Sequence, residues 1–546
     1  MSTDSGTAAP GGAGASPGLF TRKATGLVRE AKTRDALFYN LLWSSVALTF
    51  AFYWLFFAFY PGANPYLGIL IAAGLGLPGS FLYAMLTQIM PRTGGDYVFN
   101  SRALHPSIGF AGNFSYCFWL AIVIGVYTTY FAAYGIGAWG RMMTGFTGST
   151  GWVDFGDWFS TEWGLFITGT VALLISAALF IRGGTRLFFK VQAVGFVVYV
   201  VGAFVLPAIV GLFQDQGGFV SSFNEYAANL GATDAVGALK DSAAEAGYAS
   251  SGFDLEATIK SVSILWFIFG FIYSSNYFAG EIRVTRGTHL KSMPGAVLLA
   301  VTALLILIPS FLSVADYDFN GMLGFADPAA YGFVAGAPAY PEIMAIASSS
   351  PVFGTVIILG FALGLLLWLP QTLLLVSRSM FAWSFDRIMP EKLSYVEPRS
   401  RSPLVAIMVM LVLSIGSTAI YAFTDWFSAV SVLLGLSLTL LITSISGIAL
   451  PFRQPAMVEG SPYDRKVLGI PLISLVGGLA LLGFGAAIGI ILWDEGSGAS
   501  LSANPGKLQL ALLVYVVAFA IYWVARAVRK SQGIDLSLSH RELPPE

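Results

Sequence analysis

Long apolar runs, not alternating ones, set the pattern of this chain. Such runs fall at 36–60, 66–90, 107–138, 164–181, 188–213, 259–280, 293–315, 352–385, 403–423, 427–451, 467–493 and 507–528, and a helix needs about 20 apolar residues to cross a bilayer. In lipid every backbone polar group must find a partner within the protein, which only helices and closed barrels achieve. Because the runs are continuous, they predict helices. The expected fold class is all-α integral membrane, with about twelve transmembrane helices. The eighth run is long enough to be a tilted helix that continues beyond the membrane.

Charge orients these spans, because Lys and Arg collect on the cytoplasmic side. With the N-terminus inside, 25 of the 29 Lys and Arg residues fall in cytoplasmic segments, and only Arg141, Lys240, Lys260 and Lys507 fall outside. Removing one span would scramble this alternation. An even span count is therefore expected, with both termini cytoplasmic, in a cell (plasma or inner) membrane. External segments hold 17 of the 30 Asp and Glu residues. Only 11% of residues are charged and mean hydropathy is +0.73, against about 25% charge in a soluble domain. A lipid-facing surface accounts for the difference. The net charge of −1 gives no sign of a nucleic-acid partner.

The expected organisation is a cytoplasmic tail over 1–34, one membrane domain over 35–530 and a second tail over 531–546. The first nineteen residues are rich in Gly, Ala, Ser and Pro; they lack a signal peptide's apolar core and read as disordered. Segments 214–258 and 316–350 read as large external loops, the first with a tract at 237–251 rich in Ala, Gly and Ser. Cys117 is the single cysteine, so no disulfide forms within the chain. None of His105, His289 and His540 is placed in a membrane core, and no two share a metal-ligand spacing. No Ser/His/Asp grouping, P-loop or metal cluster is present in the spans, so no enzyme, metal site or cofactor is expected.

Two spans carry signs of a break. The first contains Ser44 and Ser45 at mid-depth, and the sixth centres Gly270 among Phe267, Phe269 and Phe271. A glycine costs about 1 kcal/mol in a helix interior, and an unwound segment at the bilayer midplane exposes backbone groups to substrate and ions. The two segments lie five spans apart, an odd offset that puts them in opposite orientation. Glycine and serine also serve close helix packing in membranes, and at this level both readings stand. The mid-span cores show no Asp, Glu, Lys or Arg, which disfavours a proton relay on an intramembrane carboxylate and suits a zwitterionic or neutral solute. Tyr127, Tyr130 and Tyr134 fall on one face of the third span, facing either a pathway or lipid.

Three cytoplasmic stretches add motifs. They are PRTGGDYVFNSRALHPSIGF at 91–110, GEIRVTRGTHLKSMPGAV at 280–297 and SRSMFAWSFDRIMPEKLSYVEPRSRSPLVAI at 377–407. Together they resemble the amino acid–polyamine–organocation superfamily of permeases, over roughly residues 35–530. The Pro-x-x-Gly-Gly-x-Tyr loop is matched by Pro91, Gly94, Gly95 and Tyr97. A Glu after the sixth helix and a Pro before the seventh are matched by Glu281 and Pro294, and Arg…Asp…Pro after the eighth by Arg378, Asp386 and Pro390. Phe269-Gly270-Phe271 matches the family's Phe-x-Gly-Phe only partly.

The resemblance implies two inverted five-helix repeats (spans 1–5 and 6–10) plus two C-terminal helices, with a substrate between the broken first and sixth helices and alternating access. The candidate substrate-binding residues are Ser44, Ser45, Val46, Ala47, Phe269, Gly270, Phe271 and Tyr127. The gate and motif residues are Gly94, Gly95, Tyr97, Glu281, Arg378 and Asp386; ion pairs among Arg378, Glu281, Arg92 and Asp386 would close an inner gate. One departure stands out. Where the family carries Gly-x-Gly to receive a substrate carboxylate, this chain has Val46-Ala47-Leu48, just after the serine pair. Coupling to Na+ (through hydroxyls such as Thr372) or H+, or uncoupled exchange, all stay open; Lys190 lies too shallow to replace a sodium ion. The expected function is secondary transport of an amino acid or related amine, with an organic acid or nucleobase as the alternative and a transporter-like receptor or sensor as a lesser one.

Overall fold

The computed structural model describes residues 26–51, 53–283, 287–333 and 336–536. The first nineteen residues and His540 lie outside them. The described residues are largely helical, and among them ten helices are long and apolar enough to cross a membrane. Two features reconcile that count with twelve crossings. The first span is broken at Ser44–Ser45, between Thr33–Trp43 and the helix that starts at Val46, and no piece of it is counted as long enough alone. Conversely, Glu162–Phe213 counts as a single segment of 52 residues, about 78 Å of helix at about 1.5 Å per residue and so more than two bilayer cores.

That long segment folds back at Gly184, whose φ of 58° is non-helical. A side chain there would also strike the Ser400 carbonyl at 2.0 Å, so glycine is needed twice over. Neighbours confirm the reversal. Gly169 abuts Thr128 and Thr418, Gly184 abuts Ser400, and Gly202 abuts Val356 and Gly360 at the far end of the bundle again.

Both described termini lie at one end, here the terminal end. The Ala31 amide donates to the Glu281 carbonyl at 3.0 Å, and Arg529 donates to the Arg387 carbonyl at 2.8 Å. The opposite end, the loop end, carries 214–258 and 316–350. These segments hold helices Gln216–Ala228, Ala235–Glu245, Tyr317–Phe325 and Tyr340–Ala347. The Ala-rich tract is thus partly helical, as alanine's high propensity favours, and Asp234 caps it by accepting from the Gly237 amide. Phe223 packs on Phe319 and Phe333 to tie the layer together.

Several boundaries move. The third span runs Pro106–Thr147 and includes π-helical Phe131–Gly137, so Tyr134 leaves the regular face of Tyr127 and Tyr130. The tenth begins at Val432 after a short 3-10 turn. The eleventh begins at Leu472, because 466–471 forms a two-stranded hairpin closed by Leu468 and Gly469 at positive φ.

Candidate functional site

The break in the first span falls at the serine pair. Ser45 has φ 52°, a left-handed conformation costing a non-glycine residue roughly 1–2 kcal/mol. The Tyr127 hydroxyl donates to Ser45 Oγ at 2.6 Å, and Ser44 Oγ donates back to the Leu41 carbonyl. Tyr127 lies flat on Trp368 at 3.7 Å between centroids, and Trp368 in turn contacts Trp43 at 4.9 Å. An aromatic stack from spans 1, 3 and 8 therefore backs the break. Val46 and Ala47 open the next helix, both buried.

In the sixth span the helices Leu255–Lys260 and Val262–Phe269 stop at Gly270, and the chain resumes as 3-10 turns Ser274–Tyr277 and Ala279–Glu281. The Gly270 carbonyl released by the break accepts from the Tyr273 hydroxyl, and the Phe271 carbonyl from Ser274 Oγ at 2.9 Å. Asn40 joins the two broken spans: its Oδ1 accepts from the Ser275 amide at 2.9 Å, and its Nδ2 reaches Ser275 Oγ at 3.0 Å and the Ser292 carbonyl at 2.7 Å.

Toward the loop end lies a cavity of about 300 Å3 between spans 1, 3, 6 and 10, lined among others by Thr49, Val126, Tyr130, Ser263, Phe267 and Val432. Thr49 sits one helical turn beyond Ser45. Its side chain is 9% exposed, and its hydroxyl finds no partner among the described residues. Phe267 packs against Phe271 at 6.3 Å. Ser44, Ser45, Gly270 and Phe271 therefore lie beneath the cavity and do not line it. A second recess nearer the loop end, bordered by Asp254, Glu256, Asp494 and Glu495, shares Gly496 with the cavity. Asp494 is buried and accepts from the Tyr60 and Ser263 hydroxyls, each at 2.5 Å.

The terminal end is sealed by charge. Arg378 holds Glu281 through both carboxylate oxygens, at 2.7 and 3.0 Å, with both side chains at most 1% exposed. Asp386 takes Arg102 at 2.9 Å and the Tyr97 hydroxyl at 2.7 Å. Arg102, which the sequence had not singled out, thus pairs with Asp386, and Arg92 reaches the Pro91 carbonyl at 3.4 Å. The Gly94 amide donates to the Tyr277 carbonyl at 3.0 Å, and the Gly95 Cα faces the Tyr277 ring. The double-glycine loop thereby docks on the half of the sixth span nearer the terminal end.

Thr372 spends its hydroxyl on the Trp368 carbonyl at 3.0 Å within its own helix. Its neighbour Gln371 faces the first span, where its carbonyl accepts from Tyr39 at 2.8 Å. Sequence reasoning also missed Asp96, taken as part of a cytoplasmic loop. It is 1% exposed and accepts from Asn276 at 3.0 Å and Tyr83 at 3.3 Å. Asp96 lies between two candidate spans, and burial pushes its carboxyl up to about 7 against hydrogen bonds from Tyr277, Asn276 and Tyr83 that pull it down.

The family described as amino acid permease matches residues 36–519. A search of curated proteins returns no match.

Proposed function

The chain belongs to the amino acid permease family, and from that premise we propose that it is a secondary transporter carrying an amino acid or related amine by alternating access between the first and sixth spans. The observation that carries this reading is the asymmetry of the two ends. A cavity descends from the loop end to within a turn of the serine break, while buried ion pairs close the terminal end. This arrangement suits a conformer open toward the loop end, with the terminal end taken as cytoplasmic. Around a Glu256–Lys260 ion pair at 2.7 Å, the recess also carries Asp254, Asp494 and Glu495, a net acidic border that suits a substrate bearing an amino group. The free Thr49 hydroxyl offers a polar contact on the way to the break. Coupling to Na+ or H+ belongs to the same proposal.

An organic acid or nucleobase is the second reading. It is favoured by Val46-Ala47-Leu48 in place of Gly-x-Gly. Uptake of a labelled amino acid and amine panel into proteoliposomes, with and without Na+ or H+ gradients, tests the first reading. Saturable uptake of a panel member supports it. No uptake by demonstrably folded protein, together with saturable uptake of an organic acid or nucleobase, would transfer the assignment to the second.

A further inference from the structure

Five acidic and basic side chains are buried at the terminal end around the sixth span and its docking loop, and four of them are matched by a partner of opposite sign. Arg378 holds Glu281, and Arg102 holds Asp386. Asp96 is the exception. No Lys or Arg among the described residues forms an ion pair with it, and its two oxygens accept from neutral groups, among them the Asn276 amide and the Tyr83 hydroxyl. An ionised carboxylate buried without a cation is costly, and such a group neutralises by taking up a proton.

The surroundings are neutral on every side. Tyr83 comes from the second span, Tyr116 and Cys117 from the third, Tyr273, Asn276 and Tyr277 from the sixth and Tyr515 from the last. On the carboxylate's own helix Arg102 is committed to Asp386. Burial, the largest influence, raises the carboxyl to about 7.

Position gives this group its leverage. Asp96 opens the helix Asp96–Ala103 immediately after the double glycine, and it grips Asn276 in the unwound half of the sixth span. The adjacent Ser275 is bound to Asn40 of the first span. Tyr83, its other donor, stacks on Tyr273 at 3.9 Å. One carboxyl thus ties the docking loop to the part of the broken helix that must move for the terminal end to open.

We propose that Asp96 is a proton-binding latch: protonated, it holds the 274–281 segment against the docking loop, and its proton is released to the terminal side when that segment withdraws and water reaches the carboxylate. This rests on the alternating-access reading above. The sign follows from linkage. The closed conformer binds the proton more tightly than the solvated open one. Closure is therefore fully favoured below the ordinary carboxylate range and weakens as pH rises toward about 7.

The test needs no substrate. Ala279 is 1% exposed within the latched segment, and Cys117 is the single native cysteine. In full-length protein carrying C117A and A279C, the rate of maleimide alkylation is measured from pH 5 to 9. It is divided by the rate for the same protein with D96N, which cancels the thiol's own titration. The ratio should rise with pH about a midpoint near the Asp96 value of about 7. Adding Y83F, which removes a hydrogen bond that favours the anion, should move the midpoint to higher pH. A ratio flat with pH overturns the latch. A midpoint indifferent to Y83F, or one set by Na+ when Na+ replaces choline at fixed pH, also overturns it, the last by assigning the carboxylate to a metal cation. A pH-dependent ratio in a protein that transports no panel member would sustain the latch while removing the substrate reading.

Discussion

Glu281→Gln is the perturbation whose cost the structure sets most directly. Arg378 and Glu281 are fully desolvated, and the guanidinium meets the carboxylate through two bonds of 2.7 and 3.0 Å. Removing one member of a buried pair strands the other charge, at about 3–5 kcal/mol. At about 1.4 kcal/mol per tenfold change, that is roughly two to three and a half orders of magnitude in the equilibrium holding the terminal end closed. Replacing both members by apolar residues of similar volume removes both charges, and such replacement is often close to neutral. Thermal unfolding of the purified protein, followed by tryptophan fluorescence, should therefore show E281Q, and the cycle's two single variants E281M and R378M, each well below the parent. The double variant R378M/E281M should recover most of the loss. Coupling of this kind is what a double-mutant cycle isolates. If the double variant melts at the sum of the two single losses, the charges do not depend on each other and the reasoning fails.

Three further outcomes follow from the breaks and the cavity. Ser45→Gly removes the left-handed strain at φ 52°; the melting temperature should rise by the equivalent of about 1 kcal/mol, and a drop would show that the Tyr127 contact outweighs the strain. Thr49→Val keeps shape but deletes the one buried hydroxyl in the cavity without a partner; a polar substrate group should lose about 1 kcal/mol, read as a several-fold higher KM at unchanged melting. Gly270→Leu would place a Cβ 2.8 Å from the Trp266 ring and 2.9 Å from its carbonyl; uptake should be abolished while gel filtration still shows folded protein, and normal uptake would remove Gly270 from the site.

Most of the scaffold was legible because its signal is local. A run of twenty apolar residues has one good solution in lipid, and the run at 352–385 became Pro351–Phe385 almost unchanged. The break at Ser44–Ser45 was legible as two hydroxyls where the run should be apolar. Tertiary context hid the rest. The segment Asp96–Ala103 is polar enough to read as a solvated loop, yet all eight of its residues are buried. Asn100 makes it dock, bonding Thr443 at 3.1 Å and Ser446 at 2.7 Å on the tenth span. Nothing near Asn100 in sequence announces those partners, which lie more than 340 positions away. Arg102 and Asp96 were passed over for the same reason, as charges assigned to water. The one local clue was their place between a glycine pair and the His105-Pro106 helix start, where a loop free in solvent would need neither.

The seal at Gly95 ties these threads together and can be broken without touching a charge. Its φ of 52° is one that side-chain-bearing residues rarely adopt, and a Cβ there would sit 2.8 Å from the Tyr277 ring. The ring has little freedom to give way, since it stacks on Tyr116 at 5.7 Å and is buried. Gly95→Ala should therefore lift the docking loop off the sixth span while leaving the Arg378–Glu281 pair intact. Strain and steric overlap both act against the closed conformer, each worth about 1–3 kcal/mol, so its population should fall by one to several orders of magnitude. Alkylation at Ala279→Cys in the Cys117→Ala background reads this directly. Faster modification in G95A at every pH is the expected result. If G95A alkylates at the parent rate while remaining folded, the glycine pair does not seal the terminal end, and closure rests on the ion pairs alone.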